Sequence, residues 1–222
     1  MQPIEFEEFL GRTGMTRKTF NFVSRGLKKV VALRDLIHTE SVVAMPNDYL
    51  TRLLQNVRLV GEEKVWVFKN SPIHCLRTDP SSLFLGQKFV YRKNYISLLE
   101  NFGDIFQGFC VPRGIAKLTA LIVFGKDSNG DYVLAHYLPP IIEIHDGRPI
   151  LIDGVHRNFI VLNSGTTIES IVIEKADQPF PCSPQPWNEI KVSDQKPEKP
   201  EDRFFDLNPA LFRDLKSIGI DG

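Results

Sequence analysis

PPIIEIHDGRPILIDGVHRNFIVLNSGTTIESIVIE, residues 139–174, changes its pattern repeatedly within one short run. The tandem Pro139-Pro140 leads into IIEI (141–144), an apolar segment of strand type, and Asp146-Gly147 supplies a turn back into PILID (149–153). This spacing predicts a hairpin. After Asp153-Gly154 the period lengthens: Val155, Phe159 and Leu162 fall on one helical face, and Gly165 is placed as the C-terminal stop. TTIESIVIE (166–174) then alternates as a closing strand. Asp153 or Gly154 occupies the N-cap position, so His156 and Arg157 belong to the first helical turn.

Cations are disfavoured in a first turn, where the helix carries a partial positive charge. The same terminus offers unpaired backbone N–H groups and is a ready anion site. A guanidinium and an imidazole added there focus a pocket for a phosphate chain, with Arg able to bind two oxygens through its planar fork. The bland alternative is an N-capped helix in which Arg157 pairs with a surface carboxylate and His156 is a satisfied polar residue.

The segment 139–174 resembles the central part of the ParB/sulfiredoxin superfamily, the ParB-like nuclease or nucleotide-binding domain: a strand after a Pro-containing lead-in, a strand ending in a Gly-x-His-Arg turn, a helix and a closing strand. Gly154, His156 and Arg157 match that motif, and Asp153 matches the Asp of many members. A looser likeness spans 73–175, with IHCL (73–76) as first strand, YISLLENF (95–102) as the following helix and an extra hairpin before Pro139.

The resemblance implies an α+β fold, a small mixed β-sheet with packed helices. It also implies a nucleoside di- or triphosphate with Mg²⁺ bound by Asp153, Gly154, Val155, His156 and Arg157, its phosphate hydrolysed or transferred while His156 and Arg157 stabilise developing charge. Related folds bring the preceding helix close to the nucleotide, which marks Glu100 as a catalytic partner and Lys93 as a binding one. Sulfiredoxins carry their cysteine between the Gly and the His, where this chain has Val155, so sulfinic acid reduction is not expected. After residue 175 only a Pro-rich loop and one short helix are expected, which leaves the partition role of ParB proteins without its usual additional regions.

Outward from this segment, residues 4–60 read mainly as helices. Phe6, Phe9 and Leu10 share a face, and Phe20, Val23, Leu27, Val30 and Val31 recur at helical spacing. That second helix, 17–31, carries Arg17, Lys18, Arg25, Lys28 and Lys29, either a solvated face or a contact for DNA in a non-enzymatic, ParB-like regulatory protein. A third helix is predicted from Asn47 to about Val57. VWVF (65–68) reads as a strand, YRKNYISLLENF (91–102) as a helix, and LTALIVFGKDSNGDYVLAHYL (118–138) as a hairpin turning at Asn129-Gly130, for which a type I′ turn is expected. Arg113 and Lys117, in the loop GFCVPRGIAK, are alternative phosphate clamps. Residues 177–202 read as a Pro-rich loop, and Pro209 begins a helix running to about Ser217. The expected division is a helical region 1–62, a ParB/sulfiredoxin-like domain 63–176 and an arm 177–222.

Bulk composition narrows the partners. Lys+Arg 27 against Asp+Glu 27 leaves no formal net charge, so no global field draws the chain to nucleic acid or an acidic membrane. Cys75, Cys110 and Cys182 are odd in number and widely spaced, which indicates neither a disulfide framework nor a zinc site and fits a cytoplasmic protein. His74, His136 and His145 lie on three predicted strands, and a structural role is expected for them rather than metal ligation.

Overall fold

The computed structural model describes residues 1–222 apart from 22, 24–25, 97–117 and 221–222. The fold is α+β, and the chain divides into two units, each with its own sheet. The first comprises Met1–Lys69, Thr119–Leu138 and Arg213–Gly222; the second comprises Asn70–Leu118 and Pro139–Phe212. This division departs from the expected one. The hairpin assigned to the ParB-like domain belongs to the first unit, and the arm is shared between the two at Phe212.

In the first unit, β1 (Ile4–Glu5), β2 (Lys29–Val30), β3 (His38–Ala44) and the long pair β9 (Leu121–Lys126) and β10 (Tyr132–Tyr137) form a sheet in the order β1-β2-β10-β9-β3. β4 (Arg58–Leu59) and β5 (Glu62–Trp66) make a separate small pair. Two helices accompany them, α1 (Phe6–Thr13) and α2 (Asn47–Gln55). α1 buries Phe6, Phe9 and Leu10, carries Glu7 and Glu8 in its first turn and Arg12 in its last, and ends on Gly14 in the left-handed conformation. Phe6, Phe9, Phe20 and Tyr49 pack as an aromatic cluster with the ring of His136.

The expected helix 17–31 does not form. Its described residues give a single 3₁₀ turn, Arg17–Phe20, and then β2, where Val30 pairs with Ile4 on one side and Leu134 on the other. The helical spacing of Phe20, Leu27 and Val30 was thus a coincidence of buried positions, and sheet pairing of the β-branched Val30 won. The basic helical face proposed for DNA is absent with it; Arg17 pairs with Glu7 and Lys28 with Asp131. β3 is a second departure from a helical N-terminal region: Val42 and Val43 pair with Val123 and Ile122.

The turn between β9 and β10 also differs in type. Gly130 has positive φ but Asn129 does not, and Asp127 Oδ1 accepts from the N–H groups of Asn129 (2.9 Å) and Asp131 (3.0 Å). Asp127 thus organises a longer loop in place of a type I′ turn. The C-terminal segment, expected as one helix, forms short 3₁₀ turns at Pro209–Leu211 and Lys216–Ile218.

In the second unit, β6 (Ile73–Thr78), β7 (Phe84–Leu85), β11 (Ile141–His145), β12 (Arg148–Asp153), β13 (Ile168–Glu174) and β14 (Gln185–Pro186) build a mixed sheet in the order β14-β7-β12-β11-β13-β6. β8 (Phe89–Tyr91) pairs with β15 (Lys191–Ser193). The hairpin β11–β12 is as expected, and Asp146 and Gly147 both have positive φ, the requirement of a type I′ turn. α3 (Val155–Asn163) follows β12 and lays Val155 and Phe159 on a core of Leu83, Leu85, Val90, Ile142, Leu151 and Val172. Gly165, at φ 62°, terminates it. A short helix, α4 (Pro200–Arg203), lies in the Pro-rich arm. Of the helix expected at 91–102, Tyr91 belongs to β8, residues 92–96 are helical, and 97–102 lie outside the described residues.

Candidate functional site

The end of β12 is shaped by a bulge. Ile141 lies opposite Asp153 while Ile142 lies opposite Leu151, so Ile152 is an extra residue and the strand bends just before the turn. Gly154 is the N-cap of α3, in the left-handed conformation at φ 88°, with no side-chain cap. A Cβ on Gly154 would stand 2.9 Å from Pro140 Cβ and 3.0 Å from Arg157 Nη2, so the turn needs glycine both for its dihedral and for its space. Pro140, read in the sequence only as a lead-in, is thus one wall of the turn.

Arg157 is held here. Its Nη2 donates to Asp153 Oδ2 at 2.9 Å, with side-chain exposures of only 11% and 14% for Arg157 and Asp153. The carboxylate reading was therefore right about pairing, but the pair is largely buried and spans the cap. One N–H of the guanidinium's five-donor fork serves Asp153, and the group lies against Gly154. The first backbone bond of the helix is Asn158 N–H to Gly154 O, 3.0 Å. The N–H groups of Val155 and His156 come before it and have no acceptor within the helix.

His156 points elsewhere. Its Nε2 accepts from the backbone N–H of Tyr91 at 3.1 Å, and its ring lies 6.0 Å from that of Tyr91. Burial lowers its pKa to about 4, with Lys196 and Arg157 pushing the same way. An accepting Nε2 leaves the proton of the neutral ring on Nδ1. Near neutral pH the imidazole therefore brings no charge to the turn, and its observed contact is a tether between α3 and β8. Lys196, in the arm, was not singled out in the sequence and carries no local signal of its role; it stands close enough to His156 to act on its titration and lies over the Tyr91 ring at 5.8 Å.

The remaining expected residues divide. Lys93 is exposed on the helical turn 92–96 and has no hydrogen bond or ion pair to the turn among the described residues. Glu100, Arg113, Lys117 and Cys110 lie outside the described residues. Cys75 is exposed on β6 and Cys182 is half-buried. His136 is buried in the first unit, His145 is bonded to Glu143, and His74 is exposed on β6; among the described residues no three metal-ligating side chains are grouped to hold an ion. No described helix is long and apolar enough to cross a membrane.

Asn158 is the residue that the sequence reading missed. It is fully buried one turn into α3, and its Nδ2 donates to Gly154 O at 3.1 Å. The available signal was a carboxamide three residues after Val155 and three before Val161, on the stripe that those two valines bury. Compared with protein-family models, with curated proteins and with solved structures, the chain matches none.

Proposed function

We propose that the second unit is a phosphate-binding module and that its ligand is the phosphate chain of a nucleotide, held at the first turn of α3. The observation that carries this reading is the uncapped helix terminus at Gly154 with the buried Arg157 guanidinium packed across it. Backbone N–H groups of Val155 and His156 supply directional donors, and Arg157 supplies charge and a planar fork. Asp153 holds that fork in place before the ligand arrives, and an arriving phosphate competes with it. Lys196 adds positive potential from the arm. His156 acts by position, fixing the start of α3 against β8. Hydrolysis or transfer of the bound phosphate is the activity that the ParB/sulfiredoxin resemblance adds to this reading; Mg²⁺ arriving with the nucleotide would supply charge neutralisation of the phosphate chain.

The test is a thermal-shift series with the common nucleoside di- and triphosphates, with and without Mg²⁺, run beside an assay for released phosphate. A ligand that binds only the folded chain raises its Tm by mass action. At least one nucleotide is expected to raise the wild-type Tm and to leave Arg157→Ala unmoved. A series in which no nucleotide shifts the wild type sinks the proposal. Binding without phosphate release would confine the function to recognition.

A further inference from the structure

β3 is an edge of the first unit's sheet, and every one of its residues is exposed or half-buried. Over 41–44 its backbone is open on the outer side. The Met45 N–H donates to Ala120 O at 2.9 Å, so by the alternation of an antiparallel ladder Ser41 and Val43 bond toward β9, while the N–H and C=O groups of Val42 and Ala44 point away from it. Neither Val42 nor Ala44 has another hydrogen-bond partner among the described residues. A bulge at Glu40 breaks the regular ladder on the other side of this stretch.

A cavity of about 350 Å³ borders the same open stretch. Val43 and its ladder partner Ile122 line it, together with Ala44, Pro46 and Tyr49, whose hydroxyl is taken by His136 Nε2 at 2.7 Å. Among the described residues of its lining, Asp48 is the only charged one. Arg52, one helical turn further along α2, donates to Gly14 O at 3.3 Å, and Asp48 has no ion pair or side-chain hydrogen bond among the described residues. A free strand edge, an apolar cavity beside it and an unpaired carboxylate in the cavity's lining thus lie together in one unit.

We propose that this edge is a docking site for an extended segment of another protein that carries a lysine or arginine, its aliphatic stem in the cavity and its cation at Asp48. A strand added here bonds to Val42 and Ala44, and every second side chain of it lies on the Val43 face of the sheet, the face that the cavity shares. Apolar walls with a single carboxylate match a side chain that is apolar along its length and charged at its tip. A second copy of this chain fits the site poorly. β3 brings no lysine or arginine of its own, and the bulge at Glu40 shortens any pairing of β3 with itself.

The test is fluorescence anisotropy of the full chain with a labelled octapeptide of alternating threonine and valine, blocked at both ends, with one lysine at its centre. Saturable binding is expected with a Kd below about 1 mM. Replacing the lysine by glutamate is expected to weaken it about tenfold, because a like charge then faces Asp48. Asp48→Asn should weaken the lysine peptide about fivefold. Ala44→Pro removes one outward N–H without touching the β3–β9 ladder and should abolish binding. If that variant does not fold, N-methylation of alternate peptide amides makes the same test from the other side: methylating one edge of the peptide should abolish binding, and methylating the other should leave it. No binding at about 1 mM, equal affinity for the lysine and glutamate peptides, or indifference to both methylated forms overturns the proposal. So does a dimer in sedimentation that Ala44→Pro dissociates, since that assigns the edge to a second copy.

Discussion

His136 in the first unit and His156 in the second are both held near a pKa of about 4, in each case chiefly by burial. Their surroundings differ. His136 is bonded at both nitrogens, to Tyr49 Oη at 2.7 Å and to Gly219 O at 3.1 Å, and its ring lies among Phe9 and Tyr49. It ties β10 to α2 and to the C-terminal segment, where Gly219 at φ 81° leaves no room for a Cβ beside Val30 and the His136 ring. His156 makes one observed hydrogen bond and stands among cations, Lys196 and Arg157, at a helix terminus without a side-chain cap. A depressed imidazole pKa is therefore no mark of a functional site by itself. What separates the two regions is their setting: the His136 ring is bonded at both nitrogens inside an aromatic core, while the His156 ring stands beside Lys196 and Arg157 at the helix terminus where a phosphate is proposed to bind.

The largest effect expected from that difference is in the aromatic core. His136→Ala removes a ring that fills a core and leaves the Tyr49 hydroxyl and the Gly219 carbonyl without their partner, a loss of about 4 kcal/mol by denaturant unfolding. The same residue sets a pH dependence. Its folded pKa of about 4 lies below the ordinary value of 6.5, so below pH 6.5 the unfolded chain binds a proton that the folded chain refuses. Stability should hold steady above that pH, fall as pH drops toward 4, and lose about 3 kcal/mol across the window from this group. His136→Asn should flatten much of the slope. An unchanged slope in that variant would show that other groups govern acid unfolding.

Arg157→Ala comes next. It strands a largely buried Asp153 carboxylate, for which about 3 kcal/mol is expected, and it abolishes any nucleotide-induced rise in Tm. A variant that loses stability but keeps the full ligand response would break the link between the buried pair and the site. His156→Ala is smaller. The Tyr91 N–H loses its acceptor, at about 1 kcal/mol, and ligand affinity should change little, because the ring is committed to β8 and uncharged. Loss of affinity on the scale of Arg157→Ala would instead assign the imidazole to the ligand.

The two regions were also unequally readable. Residues 139–174 announced their elements because each boundary carried its own chemistry: Asp146-Gly147 for a turn, Asp153-Gly154 for the cap, Gly165 for the stop. Residues 17–31 carried apolar spacing without such punctuation, and Val30 was claimed by partners far away in sequence, Ile4 and Leu134. Asp127 shows the same limit on a smaller scale, since NG alone suggested one turn and the Asp two residues earlier built another. Within the site, Asp153, Gly154 and Arg157 were legible because they are local to one turn. Pro140, Tyr91 and Lys196 were not, because only the sheet and the arm bring them there.

The most direct test of the central claim follows the backbone amides themselves. In a ¹H–¹⁵N titration with the nucleotide giving the largest thermal shift, the amides of Gly154, Val155, His156 and Arg157 should move along saturating curves that share one Kd, with Val155 and His156 moving most as their N–H groups gain an acceptor. The amides flanking His136 should stay in place. Saturating shifts confined to the first unit, or none at residues 154–157 at ligand concentrations that saturate the thermal response, would contradict the account.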